Sequence, residues 1–132
     1  MALRCLVVDD NIDFLRAARC LLEHQGVDVV GVASTIADAL RRADELRPDV
    51  TLVDVNLGDE SGIDLAHALA DAPTATRSAV VLISIYAECD LVDLVDVDAA
   101  IGFLSKADLS EPAVSRAIRC ARRARVSGPA EP

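Results

Sequence analysis

Five side chains in this sequence have types and positions that could do chemistry together: Asp9, Asp10, Asp54, Ser84 and Lys106. Each stands at or close to the carboxyl end of an apolar run, where strand-then-helix units place their chemistry. Asp54 is the centre. It lies in VTLVDVNLGDESG, with Val50, Leu52, Val53 and Val55 around it and glycines at Gly58 and Gly62 beyond. Three acids brought together repel: two unit charges ~4 Å apart cost about 4 kcal/mol at an effective dielectric of roughly 20. A divalent ion with oxygen ligands compensates, and Mg2+ fits best because it accepts a few carboxylates and keeps several waters. Taken alone, the Asp9-Asp10 pair reads as two solvated strand-end caps. The other positions change that weighing. Ser84 brings a hydroxyl donor. Lys106, the only lysine among 13 Lys and Arg residues, brings a compact ammonium that neutralises a phosphoryl oxygen as a point charge.

Such a group needs elements that bring distant strand ends together. The runs 5–8, 27–33, 50–55, 79–85 and 99–104 read as five strands. The third is apolar on both faces, as in the middle of a parallel sheet covered by helices. Between the strands lie helical patterns. Asn11 or Asp10 caps the first helix, with Phe14, Ala18, Leu21 and Gln25 along one side, Leu15 and Leu22 widening that face, and Gly26 as its left-handed stop. Ser34 is the expected cap of the second, whose apolar face is Ile36, Leu40, Ala43 and Leu46, ended by Pro48. Ile63, Ala66, Leu69 and Ala70 mark a short third helix stopping near Pro73. The stretch 88–98, with Asp at every third position, predicts a marginal fourth. Ser110 caps the last, with Ala113, Val114, Ala117, Ile118 and Ala121 inward, and 126–132 has the composition of a disordered tail. The alternation implies one α/β domain over 1–125. Its sheet is parallel, doubly wound in the order 2-1-3-4-5 and served by five helices, which sets the first and third strands side by side.

Composition agrees. At 132 residues the chain holds one core, and 52% hydrophobic content with no Trp, one Tyr and two Phe makes that core from Val, Leu, Ile and Ala. No apolar run approaches the ~18 residues of a membrane span. The start, MALRCLVVDD, meets aspartates before a signal-peptide core could form, so a cytoplasmic protein without membrane contact is expected. A net charge of −9 argues against nucleic acid as a direct partner. Cys5, Cys20, Cys89 and Cys120 have no metal-ligand spacing and read as small hydrophobes in a reducing compartment.

The ordered set of marks resembles the response-regulator receiver domain of two-component signalling, a CheY-like, flavodoxin-like domain, across roughly residues 3–125. The marks are Asp9-Asp10, Asp54 in DVNLGDESG, Ser84, the aromatic Phe103, and Lys106 in GFLSK. The resemblance implies that Asp54 is the phosphorylated nucleophile. Asp10 would ligate Mg2+ directly, Asp9 partly through water, and Asn56 through its backbone carbonyl. It also implies that Lys106 holds a phosphoryl oxygen, that Ser84 moves to bond the phosphoryl group, and that Phe103 turns into the space Ser84 leaves. The phosphodonor would be a sensor histidine kinase or a small phosphodonor, the readout a downstream protein target. No turnover of a separate substrate is expected.

Three positions depart from the family pattern. Phe103 lacks the frequent tyrosine hydroxyl, Ala107 follows Lys106 where proline is common, and Ile85 is bulkier than the usual small residue and is expected to slow phosphoryl turnover. A candidate partner face sets acids of the fourth-helix stretch (Asp90, Asp93) beside arginines of the last helix (Arg116, Arg119, Arg123), complementary for a homodimer or another partner. The alternative function is a phosphate-independent adaptor using the same face. The chain reads either as a stand-alone receiver or as a piece of a longer regulator.

Overall fold

The computed structural model describes residues 3–71, 79–85 and 101–127. A five-stranded sheet forms from β1 (Arg4–Val8), β2 (Asp28–Ala33), β3 (Val50–Asp54), β6 (Ala79–Ser84) and β7 (Ile101–Ser105). Its spatial order is β2-β1-β3-β6-β7, parallel throughout. Counting only these strands, that is the expected 2-1-3-4-5 arrangement. The helices are α1 (Ile12–His24), α2 (Ile36–Leu46), α3 (Gly62–Ala70) and α4 (Glu111–Ser127). The helix expected over 88–98, with Asp90 and Asp93, lies outside the described residues, as do Pro73 and the start of the strand expected from Ala99. The last helix runs on through Val126 and Ser127, two residues the sequence assigns to a tail.

Two-residue alternation explains why the central strands are apolar throughout. Cys5, Val7, Val50, Leu52, Val81 and Ile83 face one layer, with Leu15, Ala18 and Leu22 of α1 and Val114, Ala117 and Ile118 of α4. Leu6, Val8, Val53, Val80 and Leu82 face the other, with Ala39 and Ala43 of α2 and Leu65, Ala66, Leu69 and Ala70 of α3. Burying a branched side chain stabilises by about 1.5–3 kcal/mol, so these two layers dominate the favourable side of folding. Cys5 sits inside the first layer, where burial pushes its thiol up to about 12, as befits a small hydrophobe; Cys20 is exposed.

Several local expectations shift by a residue or a turn. The cap of α2 is Thr35, not Ser34: its Oγ1 accepts from the Asp38 amide at 3.2 Å, the third amide of the helix, which Ser34 is one residue too early to reach. Leu21 and Leu40 are each 38% exposed, because the seams run through Leu15, Ala18 and Leu22 and through Ala39 and Ala43. Gln25 leaves the helix and spends its side chain on α4, Oε1 accepting from the Glu111 amide at 2.6 Å. Ser110 does cap α4, its Oγ accepting from the Ala113 amide at 3.2 Å. The glycine loop after β3 contains a small antiparallel hairpin, β4 (Asn56–Leu57) with β5 (Glu60–Ser61).

Candidate functional site

The register of the sheet brings the chemically able residues to one edge. Asp54 ends β3 opposite Ile83, and Ser84 ends β6 opposite Ser105. Asp9 follows β1, its amide still bonded to the Ala33 carbonyl at 3.0 Å, and Lys106 follows β7. Asp9, Asp54 and Ser84 are buried, while Asp10 is exposed.

Lys106 crosses to the acids. Its Nζ lies 2.7 Å from Asp9 Oδ2 and 3.3 Å from Asp54 Oδ2, with 17% of its side chain exposed. The Asp54 contact is a hydrogen bond. The Asp9 contact is closer, but its angles fall short of one, so this buried oxygen keeps lone-pair capacity. Two backbone amides take the other oxygens: Asn11 donates to Asp9 Oδ1 at 2.9 Å and Asn56 to Asp54 Oδ1 at 3.3 Å. The ring of Phe14 lies beneath the ammonium, its centroid 4.2 Å from Nζ.

Backbone packing holds this geometry. A Cβ on Gly62 would stand 1.7 Å from the Asp54 carbonyl oxygen, so only glycine lets α3 begin against the end of β3. The Gly62 amide bonds the Val55 carbonyl at 2.9 Å across the same junction. The hairpin is tied to α2 by Glu60, whose Oε1 accepts from the Ile36 amide at 2.9 Å. A Cβ on Gly58 would lie 3.2 Å from Asp10 Oδ2, so the hairpin approaches the exposed acid.

The electrostatics follow. Burial, and then the charge of Asp9, hold the Asp54 carboxyl above its usual range against the opposing pull of Lys106. For Lys106 burial alone would lower the ammonium, but contact with Asp9 and the charges of Asp54 and Asp9 outweigh it and raise it. Asp9, Asp10 and Asp54 each offer an oxygen within 4.8 Å of the others. Three carboxylates against one ammonium leave two negative charges. An oxygen-only donor set of that charge, with an under-bonded buried oxygen in it, fits a hard divalent cation.

Of the other positions singled out in the sequence, Phe103 is half-buried against the layer under α2 and α3, opposite Leu82. Asn56 is exposed, and Ile85 is 73% exposed. Arg116 and Arg119 are exposed on α4; the side chains of Ala121 and Arg123 lie outside the described ones. Sequence reasoning took Phe14 for a core residue and gave Glu60 no part. An aromatic one turn beyond a capped acidic pair was the only signal for the first. The second carried none.

Comparison with known proteins bears on the family and the fold. The family model of the response regulator receiver domain matches residues 5–117. The transcriptional regulatory protein KdpE of Mycobacterium tuberculosis is 47% identical over 70 residues, 53% of this chain and 30% of that protein. A protein-glutamate methylesterase/protein-glutamine glutaminase of Alkalilimnicola ehrlichii is 42% identical over 64 residues, 48% of this chain and 16% of that one. The chain thus spans under a third of the length of these two relatives. Among solved structures, the signal receiver domain assigned to the response regulator NarL of M. tuberculosis superposes with a TM-score of 0.71 at 30% identity, covering 92% of this chain and 97% of that one. The signal receiver domain of a modulated diguanylate cyclase from Desulfovibrio desulfuricans gives 0.70 at 25%, covering 96% and 98%. The acids, the ammonium and the sheet that gathers them therefore sit in a member of the response regulator receiver domain family of two-component signalling.

Proposed function

We propose that this receiver accepts a phosphoryl group on Asp54 and passes on the resulting change of shape. The observation that carries the reading is the Lys106 ammonium 3.3 Å from Asp54 Oδ2, at a sheet edge where Asp9 and Asp10 also converge. In the transfer, a carboxylate oxygen of Asp54 forms a bond to phosphorus. The bond from phosphorus to the donor (nitrogen of a kinase phosphohistidine, or oxygen of a small acyl phosphate) breaks, and the leaving group departs with its electron pair. Lys106 neutralises an incoming phosphoryl oxygen, and the buried, preset geometry supplies orientation. Mg2+ would be held by Asp10 and Asp54, by Asp9 partly through water, and by the Asn56 carbonyl; when bound it supplies positive charge against the phosphoryl oxygens.

Ser84, buried at the end of the neighbouring strand, is the group that would bond the phosphoryl oxygens, and Phe103 the ring that follows it. The readout would run through the acids Asp90 and Asp93, which lie outside the described residues, together with Arg116, Arg119 and Arg123, engaging a downstream protein or a second copy. The receiver turns over no separate substrate and works in the cytoplasm; among the described residues no helix is long and apolar enough to cross a membrane.

The test is titration with beryllofluoride, a phosphoryl mimic, with and without Mg2+, followed by amide NMR. Magnesium-dependent shifts at Asp54, Ser84 and Lys106, abolished in Asp54→Asn, are expected. Shifts that persist in Asp54→Asn, or partner binding indifferent to the mimic, would leave the adaptor reading instead.

A further inference from the structure

We propose that Phe14 is a positioning residue for Lys106, its ring face holding the ammonium against Asp54 so that an arriving phosphoryl group meets a charge already in place. This rests on Asp54 being the acceptor. The ammonium has three N–H donors. Asp54 Oδ2 accepts one at 3.3 Å, Asp9 Oδ2 stands 2.7 Å from Nζ as its ion-pair partner, and the centroid of the ring lies 4.2 Å from Nζ. An aromatic face carries negative potential, so it attracts the cation where a saturated side chain would only fill space.

The ring is not placed there by helix packing alone. Asp9 Oδ1 accepts from the Asn11 amide, and Asn11 Oδ1 accepts in turn from the Asp13 and Phe14 amides at 2.9 and 3.2 Å. The carboxylate that holds Lys106 by one oxygen thus orients, by the other, the cap from which Phe14 hangs. Asp9, Asn11, Phe14 and Lys106 close a ring of contacts with Asp54 on its rim. A flexible four-carbon side chain would otherwise sample many rotamers, and each contact removes part of that freedom before phosphate arrives. The plainer account is that Phe14 is a core residue, since it packs against the layer beneath α1. Leucine would serve that role nearly as well; it would not serve the clamp.

Lys106 is the only lysine in the chain, so labelling lysine with 13C at the ε-carbon gives one side-chain methylene signal from the intact protein. The ring should hold its protons upfield. Phe14→Leu should move them downfield, and Phe14→Tyr, which keeps the face, should leave them in place. In the same variants, beryllofluoride affinity at saturating Mg2+ should fall about two- to tenfold for leucine and recover for tyrosine. It should decline step by step as fluorines are added to the ring of Phe14, while Mg2+ affinity stays constant. A lysine signal indifferent to Phe14→Leu, or an affinity flat across the fluorinated series, would overturn the clamp. If the unaltered protein ignored beryllofluoride, the acceptor reading would fall, and the lysine signal would still decide whether the ring holds the ammonium.

Discussion

Among the described residues, the ion pairs of α2 and those at the end of the sheet behave in opposite ways. On the exposed side of α2, Asp38 pairs with Arg41 and Arg42, and Arg41 also reaches Glu45 at 3.7 Å. At the sheet edge, Asp9 and Asp54 share the single ammonium of Lys106. The Asp38 carboxyl is held below its usual range, first by its hydrogen bond with Arg42. The Asp54 carboxyl is held above it, first by burial. The surface cluster sets two cations against two acids with water around them, so each charge is satisfied where it stands. The pocket holds more negative charge than its lysine can neutralise, out of water. One group supports the helix, and the other is poised to receive more cation.

That contrast can be broken most forcefully at the backbone. Gly62→Ala drives a methyl into the Asp54 carbonyl and should cost about 4 kcal/mol or more, read by urea unfolding, an effect size kept for a few mechanisms such as backbone conflict. A loss below about 1 kcal/mol would mean that the end of β3 moves aside freely.

Removing the ammonium should come next. Lys106→Met leaves Asp9 buried with an uncompensated charge, and breaking such a pair costs about 3 kcal/mol at neutral pH. Adding Asp9→Asn to that variant should recover part of the loss. Stability unchanged in the single variant would show that water reaches Asp9.

Asp54→Asn works in the other direction. Because the folded-state carboxyl is raised, the folded state binds its proton more tightly than the unfolded chain does. Stability therefore falls as pH climbs from the ordinary carboxylate range through the raised value. In the absence of metal the variant should have a higher Tm than the unaltered protein at neutral pH, and the gap should close at low pH, where Asp54 is protonated in both states. A lower Tm at neutral pH would refute it.

The smallest effect belongs to α2. Arg42→Ala should change stability by about 0.5 kcal/mol or less and lose even that in high salt, since exposed pairs contribute little. Asp38 has the opposite sign from Asp54: its contribution is present above the ordinary carboxylate range and is lost as pH falls through its lowered value.

What the sequence told about this contrast was uneven. Asp9, Asp54, Ser84 and Lys106 could be placed because they follow apolar runs, and parallel strands deliver their carboxyl ends to one edge. Alternation and handedness imply the parallel sheet, and 2-1-3-4-5 is one of the two orders common to doubly wound folds. Contacts between elements far apart in the chain left no such trace. Nothing in Glu60 tells of the Ile36 amide, and nothing in Gln25 tells of α4. Phe14 was visible only as an apolar residue at helical spacing, a pattern the core and the clamp share. Leu21 and Leu40 misled because a short helix with many apolar residues has more of them than its seam can bury. Ser34 and Thr35 are neighbours with the same chemistry, and only the helix register chooses between them.

The most direct measurement is to incubate the full chain with acetyl phosphate and Mg2+ and locate the added phosphoryl group by peptide mass spectrometry. The account predicts one group, on the peptide carrying Asp54, absent without Mg2+ and absent in Asp54→Asn. A phosphoryl group found on another residue, or one that survives in Asp54→Asn, would contradict it.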